Sequence, residues 1–329
     1  MKFPQRMRLK VLLSAAACAL AASFAAPVHA QAWPTKPVKM VVPFSPGGST
    51  DVVARMLGQR LSEIWGQTVV IENKAGAGGN IGADMVAKSP ADGYTLLMAS
   101  GSITINPHIY AKMPFDTEKD LVPITNVASG PMLVVVQDKA PYKSVKDVIA
   151  AAKAKPGALS FGSAGVGSQV HLAGENFADA AGIDIQHVPY KGEAPAYTDL
   201  IAGQTQLMVG NIAAAAALLG PDRLRALAVT GKQRSPLLPD VPTVSESGLP
   251  GFENTGWFGL YAPAGTPPEI IAKIQKDTAT ALSDTHIKAR LHVLGMEPVG
   301  STGAQLAKQM AVESVRWAQV VKNRKLKAN

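Results

Sequence analysis

Short apolar runs alternate with amphipathic segments through most of the chain, and each change of period falls on a loop of small residues. Val38–Val42 is a β-branched run closed by Pro43 and Pro46, neither of which has an N–H for a strand ladder. Gly47-Gly48 follows, and from Ser49 onward Val53, Leu57, Leu61 and Ile64 recur at helical spacing. The stretch predicts strand, glycine loop and helix, with unpaired helix N–H groups facing the loop, where an anion is favoured. A plain strand-to-helix turn is the alternative on this stretch alone.

The pattern then recurs. Strands are predicted over 69–71 and 94–98, separated by the glycine loop Gly76-Ala77-Gly78-Gly79-Asn80, a helix over 81–88 and an Asp92-Gly93 turn. Further strands are predicted over 133–136, 159–162, 183–188, 207–209 and 224–229, with the loop Ser163-Ala164-Gly165-Val166-Gly167-Ser168 before a helix over 171–181. Ser144 with Asp147, and Thr302 with Gln305, have the spacing of capping boxes, and Thr266-Pro267-Pro268-Glu269 reads as a threonine-capped helix start. A final strand is predicted over 257–262, and 236–250 reads as a proline-rich ordered surface loop. Strands alternating with helices indicate α/β architecture whose ligand crevices lie beyond the carboxyl ends of parallel strands.

The N-terminus changes the compartment. Lys2, Arg6, Arg8 and Lys10 precede an apolar stretch over 11–26 and the small-residue pattern Val28-His29-Ala30, which reads as a signal peptide at 1–30 cleaved after Ala30, placing the chain in the periplasm. Ser14 and Ser23 interrupt the apolar run, and Ala15-Ala16-Ala17 before Cys18 lacks the leucine of a lipid-attachment motif. Cleavage takes Lys and Arg from 32 to 28 against 24 Asp and Glu, a net charge of +4, and removes Cys18, so no disulfide or thiol chemistry is expected. The one basic run, Lys322-Asn323-Arg324-Lys325-Leu326-Lys327, sits at the C-terminus and reads as a solvated tail, so no nucleic-acid partner is expected.

In order along the chain, Pro43-Phe44-Ser45-Pro46-Gly47-Gly48-Ser49-Thr50-Asp51, Glu72-Asn73-Lys74-Ala75-Gly76-Ala77-Gly78-Gly79, the loop 163–168 with His171, and Val188-Pro189-Tyr190-Lys191-Gly192 resemble the extracytoplasmic receptors of tripartite tricarboxylate transporters, the Bug/Tct type. So do Leu238-Pro239-Asp240-Val241-Pro242-Thr243, Glu246-Ser247-Gly248 and Ala262-Pro263-Ala264-Gly265-Thr266-Pro267. The resemblance implies an α/β, two-domain periplasmic binding protein fold of type II-like character, each domain a mainly parallel sheet flanked by helices, closing like a flytrap on a small ligand, commonly a carboxylate. It implies two interdomain crossings, placed near Pro131 and Val229. The expected domains are 31–130 with 229–329, and 131–228. The implied partners are a small-molecule ligand and membrane permease subunits, with the receptor itself a monomer, and no cofactor, metal or catalysis is expected.

The resemblance sets ligand atoms against the first loop and the loop 163–168. Neither contains Lys or Arg, so a carboxylate would be held by backbone N–H groups, hydroxyls and helix dipoles. Gly47 and Gly48 are candidates for close backbone contact, Phe44 for a wall and Ser45 for a hydroxyl, with packing the alternative for Phe44. Ser100 and Ser102 offer hydroxyls or form a turn. Ser163, Ala164, Gly167 and Ser168 complete the second loop, where Ser168 also suits a helix N-cap. His171 faces the cleft or packs, and Tyr190 offers a wall with a hydroxyl. Asp51, beside the proposed anion site, is expected to cap or brace the loop.

One block departs from the family. Many relatives have an aspartate in a strand followed by an aromatic, where this chain has Gln206-Leu207-Met208-Val209-Gly210-Asn211 and then alanines. Asn211 is the candidate substitute, as a neutral donor and acceptor. Two other functions fit a two-lobed exported chain: a sensor receptor that reports occupancy to a signalling protein, and an enzyme. Against the enzyme stand the missing Gly-x-Ser-x-Gly elbow, His-Glu-x-x-His and phosphate loop, the scattered histidines, and Ile81 where a dinucleotide fingerprint needs its third glycine.

Overall fold

The computed structural model describes residues 33–328, so the expected signal peptide lies outside the described residues. The elements run β1 (Val38–Val42), α1 (Ser49–Trp65), β2 (Val69–Asn73), α2 (Asn80–Ala87), β3 (Thr95–Ser100), α3 (Ser102–Ile109), α4 (Thr117–Asp120) and β4 (Leu121–Gln137). They continue with α5 (Val145–Ala154), β5 (Ser160–Ser163), α6 (Gln169–Ala181), β6 (Gln186–Pro189), α7 (Glu193–Ile201), β7 (Leu207–Asn211), α8 (Ile212–Ala215) and β8 (Leu224–Val229). The C-terminal part is β9 (Thr255–Pro263), α9 (Pro268–Ser283), α10 (Thr285–Val293), β10 (Glu297–Pro298) and α11 (Gly303–Asn323).

The strands fall into two groups. In the first lobe β1 pairs in parallel with both β2 and β3, and β9 runs antiparallel beside β3. In the second, β5 pairs in parallel with β6 and β7. The strand common to both is β4. Its first part pairs with β9 from Leu121↔Pro263 to Pro131↔Thr255, and its last part pairs with β7 and β8 from Met132 onward. The change of partner falls at Pro131, which has no N–H to give either neighbour. Register shifts at Pro123/Thr125 and Asn126/Ala128 let the strand pass its other proline.

Burial follows the pattern of the sequence. Val38, Met40, Val41 and Val42 of β1 are fully buried, as expected of a parallel strand covered on both faces. Each such side chain contributes roughly 1.5–3 kcal/mol of burial. Helix α1 buries Val53, Leu57 and Leu61 and ends at Gly66, whose φ of 62° is the left-handed C-cap that glycine takes without strain. The second lobe packs Met132 to Val136 of β4 with Phe161, Phe177 and Met208, and Val244 and Phe252 join this same cluster.

Both expected capping boxes form, Ser144 with Asp147 and Thr302 with Gln305. The threonine cap at 266 does not. Pro267 is the N-cap of α9, and the Thr266 hydroxyl donates to the Pro263 carbonyl at 2.7 Å. The strand predicted over 183–188 is shorter, beginning at Gln186, because Ile183 and Ile185 are spent packing the turn after α6 into the core.

Candidate functional site

The carboxyl ends of β1, β3, β5 and β6 face a common polar region, as parallel strand ends do at α/β ligand sites. The starts of α1 after Gly48, α6 after Ser168 and α7 after Gly192 lie there, with that of α3 after Gly101 beside them. Helix-start N–H groups there already hold oxygen acceptors, Ser49 N–H the Glu193 carboxylate and His171 N–H the Ser168 hydroxyl.

The first loop is braced from below. The Asp51 carboxylate accepts from the Gly47 N–H at 3.0 Å, from Arg55 Nε at 2.9 Å and from Asn73 Nδ2 at 2.9 Å, and Asn73 Nδ2 also donates to the Phe44 carbonyl at 3.0 Å. Burial pushes the Asp51 carboxyl up, but the bonds from Arg55, Gly47 and Asn73 outweigh it and hold the group below the usual aspartate range. Gly47 has φ +82°, a conformation that excludes most side chains without strain.

At the centre lies a cavity of about 10 Å³, room for about one water-sized sphere. Phe44, Gly48, Ser100, Ala164, Ser168 and Asn211 line it, together with Thr50, Gln169, Val170 and Glu193. A chain of buried hydrogen bonds surrounds it. The Ser49 N–H donates to Glu193 Oε2 at 2.8 Å, and Asn211 donates to Glu193 Oε1 through its backbone N–H at 3.1 Å and its side-chain amide at 2.8 Å. Gln169 Nε2 donates to Asn211 Oδ1 at 3.2 Å, and Gln169 Oε1 accepts from the N–H groups of Gly101 at 3.0 Å and Trp257 at 3.1 Å. The network runs from the first lobe through the second and back.

The remaining sequence candidates lie around this cavity without lining it. Ser102 Oγ accepts from Ser100 Oγ at 3.2 Å. The Ser45 N–H donates to the Lys191 carbonyl at 3.0 Å across the lobes, while its hydroxyl is buried with no partner. Ser163 Oγ accepts from the Gly165 N–H at 3.1 Å and bonds His187 Nε2. The Gly167 N–H donates to His171 Nδ1 at 3.2 Å, and a Cβ at Gly167 would lie against Asn106 Oδ1. His171 is buried, stacked on His187 with ring centroids 3.8 Å apart. The Tyr190 hydroxyl donates to Asp199 Oδ2 at 2.7 Å; burial and then that carboxylate push the phenol up to about 12.

Glu193 and Gln169 carry the network, and neither stands out in the sequence. Glu193 opens α7, where an acid suits that helix's own dipole, so nothing local indicates that its carboxylate crosses to Ser49. A larger groove of about 1030 Å³, lined by α3, the segment 111–118 and α11, shares no residue with this cavity. Among the described residues no three His, Cys, Asp or Glu side chains form a metal site, and no helix is long and apolar enough to cross a membrane.

Comparison with known proteins agrees with this architecture. The chain is 41% identical over 303 residues to protein BugT of Bordetella pertussis, covering 92% of this chain and 93% of that protein. It is similar in structure to R. palustris Rpa4515 with adipate, with TM-score 0.87 and 39% identity over 90% of this chain and 99% of that one. The periplasmic binding protein BugD gives TM-score 0.86 at 34% identity, covering 90% and 100%. MatC from Rhodopseudomonas palustris with bound malate gives 0.82 at 32%, covering 88% and 100%. The two-lobed periplasmic binding protein fold is thus the fold of this chain. The model of the tripartite tricarboxylate transporter family receptor matches residues 53–326, and the chain belongs to that family of solute-binding receptors.

Proposed function

We propose that this chain is a periplasmic receptor that captures a small carboxylate-bearing solute between its lobes and delivers it to a membrane permease. The observation that carries the reading is the cation-free, buried network at the helix starts, where a carboxylate already accepts the Ser49 N–H at 2.8 Å. That backbone N–H groups and a side-chain amide hold the Glu193 carboxylate here supports the reading that such groups can hold a solute's carboxylate. The adipate and malate of the related structures support the same ligand class.

In this reading residues 1–30 are a signal peptide removed after Ala30, and the mature receptor is a monomer. The lobes are 31–130 with 229–329, and 131–228. The packing of Val244 and Phe252 on the second core favours a return crossing closer to Asn254, whose N–H donates to the Thr230 carbonyl at 2.9 Å. With a cavity of only about 10 Å³, the lobes must part to admit even a small acid.

The test is a thermal-shift screen of the mature protein against mono-, di- and tricarboxylates, amino acids and aromatic acids, followed by calorimetry. A ligand of the native state adds about 2.7 kcal/mol at roughly one hundred times its dissociation constant. A carboxylate hit that is recovered unchanged upholds the receptor reading. Turnover of the hit, or no response from ligand-stripped protein to any acid, overturns it.

A further inference from the structure

The cavity has one charged side chain in its lining, and that charge is negative. Glu193 is 4% exposed, and its carboxylate is shared between the start of α1 in the first lobe and Asn211 in the second. The other lining residues are neutral, and Lys191, the nearest cation along the chain, is exposed. A dicarboxylate closed into this space would bring further negative charge beside Glu193 with no counter-ion, which low-dielectric surroundings make costly.

Glu193 is also held firmly in place. Three donors fix its two oxygens, and Gly48 packs at ordinary contact distance beside Oε2. Oε2 accepts one of these bonds and retains acceptor capacity. The adjoining Ser49 hydroxyl is fully buried with no hydrogen-bond partner. The position offers acceptors and a negative charge to whatever enters beside it.

We infer that Glu193 sets the charge of the solute: the cleft takes a carboxylate-bearing molecule that also carries a cationic nitrogen, an amino acid or similar zwitterion, in preference to the matching dicarboxylate. The ammonium group pairs with Glu193, and the solute's own carboxylate takes the remaining N–H and hydroxyl donors of the loops. This rests on the carboxylate-receptor reading above and narrows its substrate class.

The experiment is calorimetry of the wild-type mature protein and of Glu193→Gln, which keeps the side-chain shape and removes the charge. The probes are succinate, glutarate and adipate, their amino counterparts aspartate, glutamate and aminoadipate, and putrescine, which has amines but no carboxylate. Wild type is expected to bind at least one amino acid about tenfold or more tighter than its matched dicarboxylate, and Glu193→Gln to erase that preference, mainly by gaining dicarboxylate affinity. If Glu193→Gln does not fold, Glu193→Ser makes the same comparison. Dicarboxylates that bind wild type as tightly as their amino counterparts overturn the inference and leave the carboxylate reading standing, as does a preference unchanged in the variant. Binding of putrescine alone, lost in Glu193→Gln, sinks the carboxylate reading and upholds pairing of a cation with Glu193. Silence of both proteins to every probe overturns both.

Discussion

Gln169 Oε1 accepts the backbone N–H of Trp257 at 3.1 Å across 88 positions of sequence, and the same oxygen accepts the Gly101 N–H. A residue at the start of α6 in the second lobe thus satisfies two buried donors of the first. Gln169→Leu keeps the bulk and leaves both donors unpaired only when the lobes meet, at a cost of about 1–3 kcal/mol each. The expected outcome is a loss of ligand affinity of roughly thirtyfold or more, with little change in the melting temperature of ligand-free protein. Calorimetry beside thermal melts separates the two, and undiminished affinity would show that Gln169 does not couple the lobes.

Gly48 has φ −81°, which any residue adopts, and an added Cβ would sit at ordinary contact distance, 3.6 Å, from Glu193. Gly48→Ala is therefore expected to bind ligand within about threefold of wild type, since nothing must shift. Valine's two further methyls reach into the Glu193 carboxylate and the cavity, so Gly48→Val is expected to lose about tenfold or more while melting within a few degrees of wild type. Equal affinity of the two variants would remove Gly48 from the ligand contacts.

Much of this arrangement is legible in the residues. The β1 loop, the glycine loops, both capping boxes and the parallel groups β1–β3 and β5–β7 follow from local period and turn chemistry, while the antiparallel pairing of β4 and β9 that makes the sheet mixed does not. Asp51 bracing its loop follows from its sign beside the proposed anion site. What escapes is whatever depends on distant partners. β4 runs unbroken through Pro123 and Gly130-Pro131, residues that locally read as breaks, because register shifts and a change of neighbour absorb them. Helix α3 continues through Pro107, and Asn106 is spent on the Gly78 carbonyl and Asn80 Oδ1. Glu193 is ordinary at a helix start, and its role comes from Ser49, 144 positions away.

Asp51 ties Gly47, Arg55 and Asn73 together at the loop proposed to hold ligand, so its removal tests whether loop rigidity sets affinity. Asp51→Ala releases the Gly47 N–H, Arg55 and Asn73 together. A loss of about 1–3 kcal/mol of stability is expected, since hydrogen bonds to a buried charged group are among the stronger ones. Affinity should fall as well, because Gly47 at φ +82° is no longer held. Urea unfolding and calorimetry check both; a variant destabilised but with wild-type affinity would confine Asp51 to the fold.

His187 makes stability depend on pH in a defined window. Its ring packs against both His171 and Phe161, and burial first, then the neighbouring His171, push it from 6.5 down to about 2. Below about pH 6.5 the unfolded chain takes up a proton at this position and the folded chain does not, so stability falls as pH falls. By pH 5 the loss from this residue reaches about 2 kcal/mol. His108 is lowered by burial in the same direction, but its exposed side chain makes its share small. Asp51 and Glu175, also held below their ordinary values, act further down, below the carboxylate range of the unfolded chain. His187→Gln keeps a polar group near Ser163 and removes the titration. Urea midpoints measured between pH 7 and pH 5 should therefore decline less steeply in the variant than in wild type, and parallel slopes would show that this imidazole takes up its proton in the folded protein as readily as in the unfolded chain.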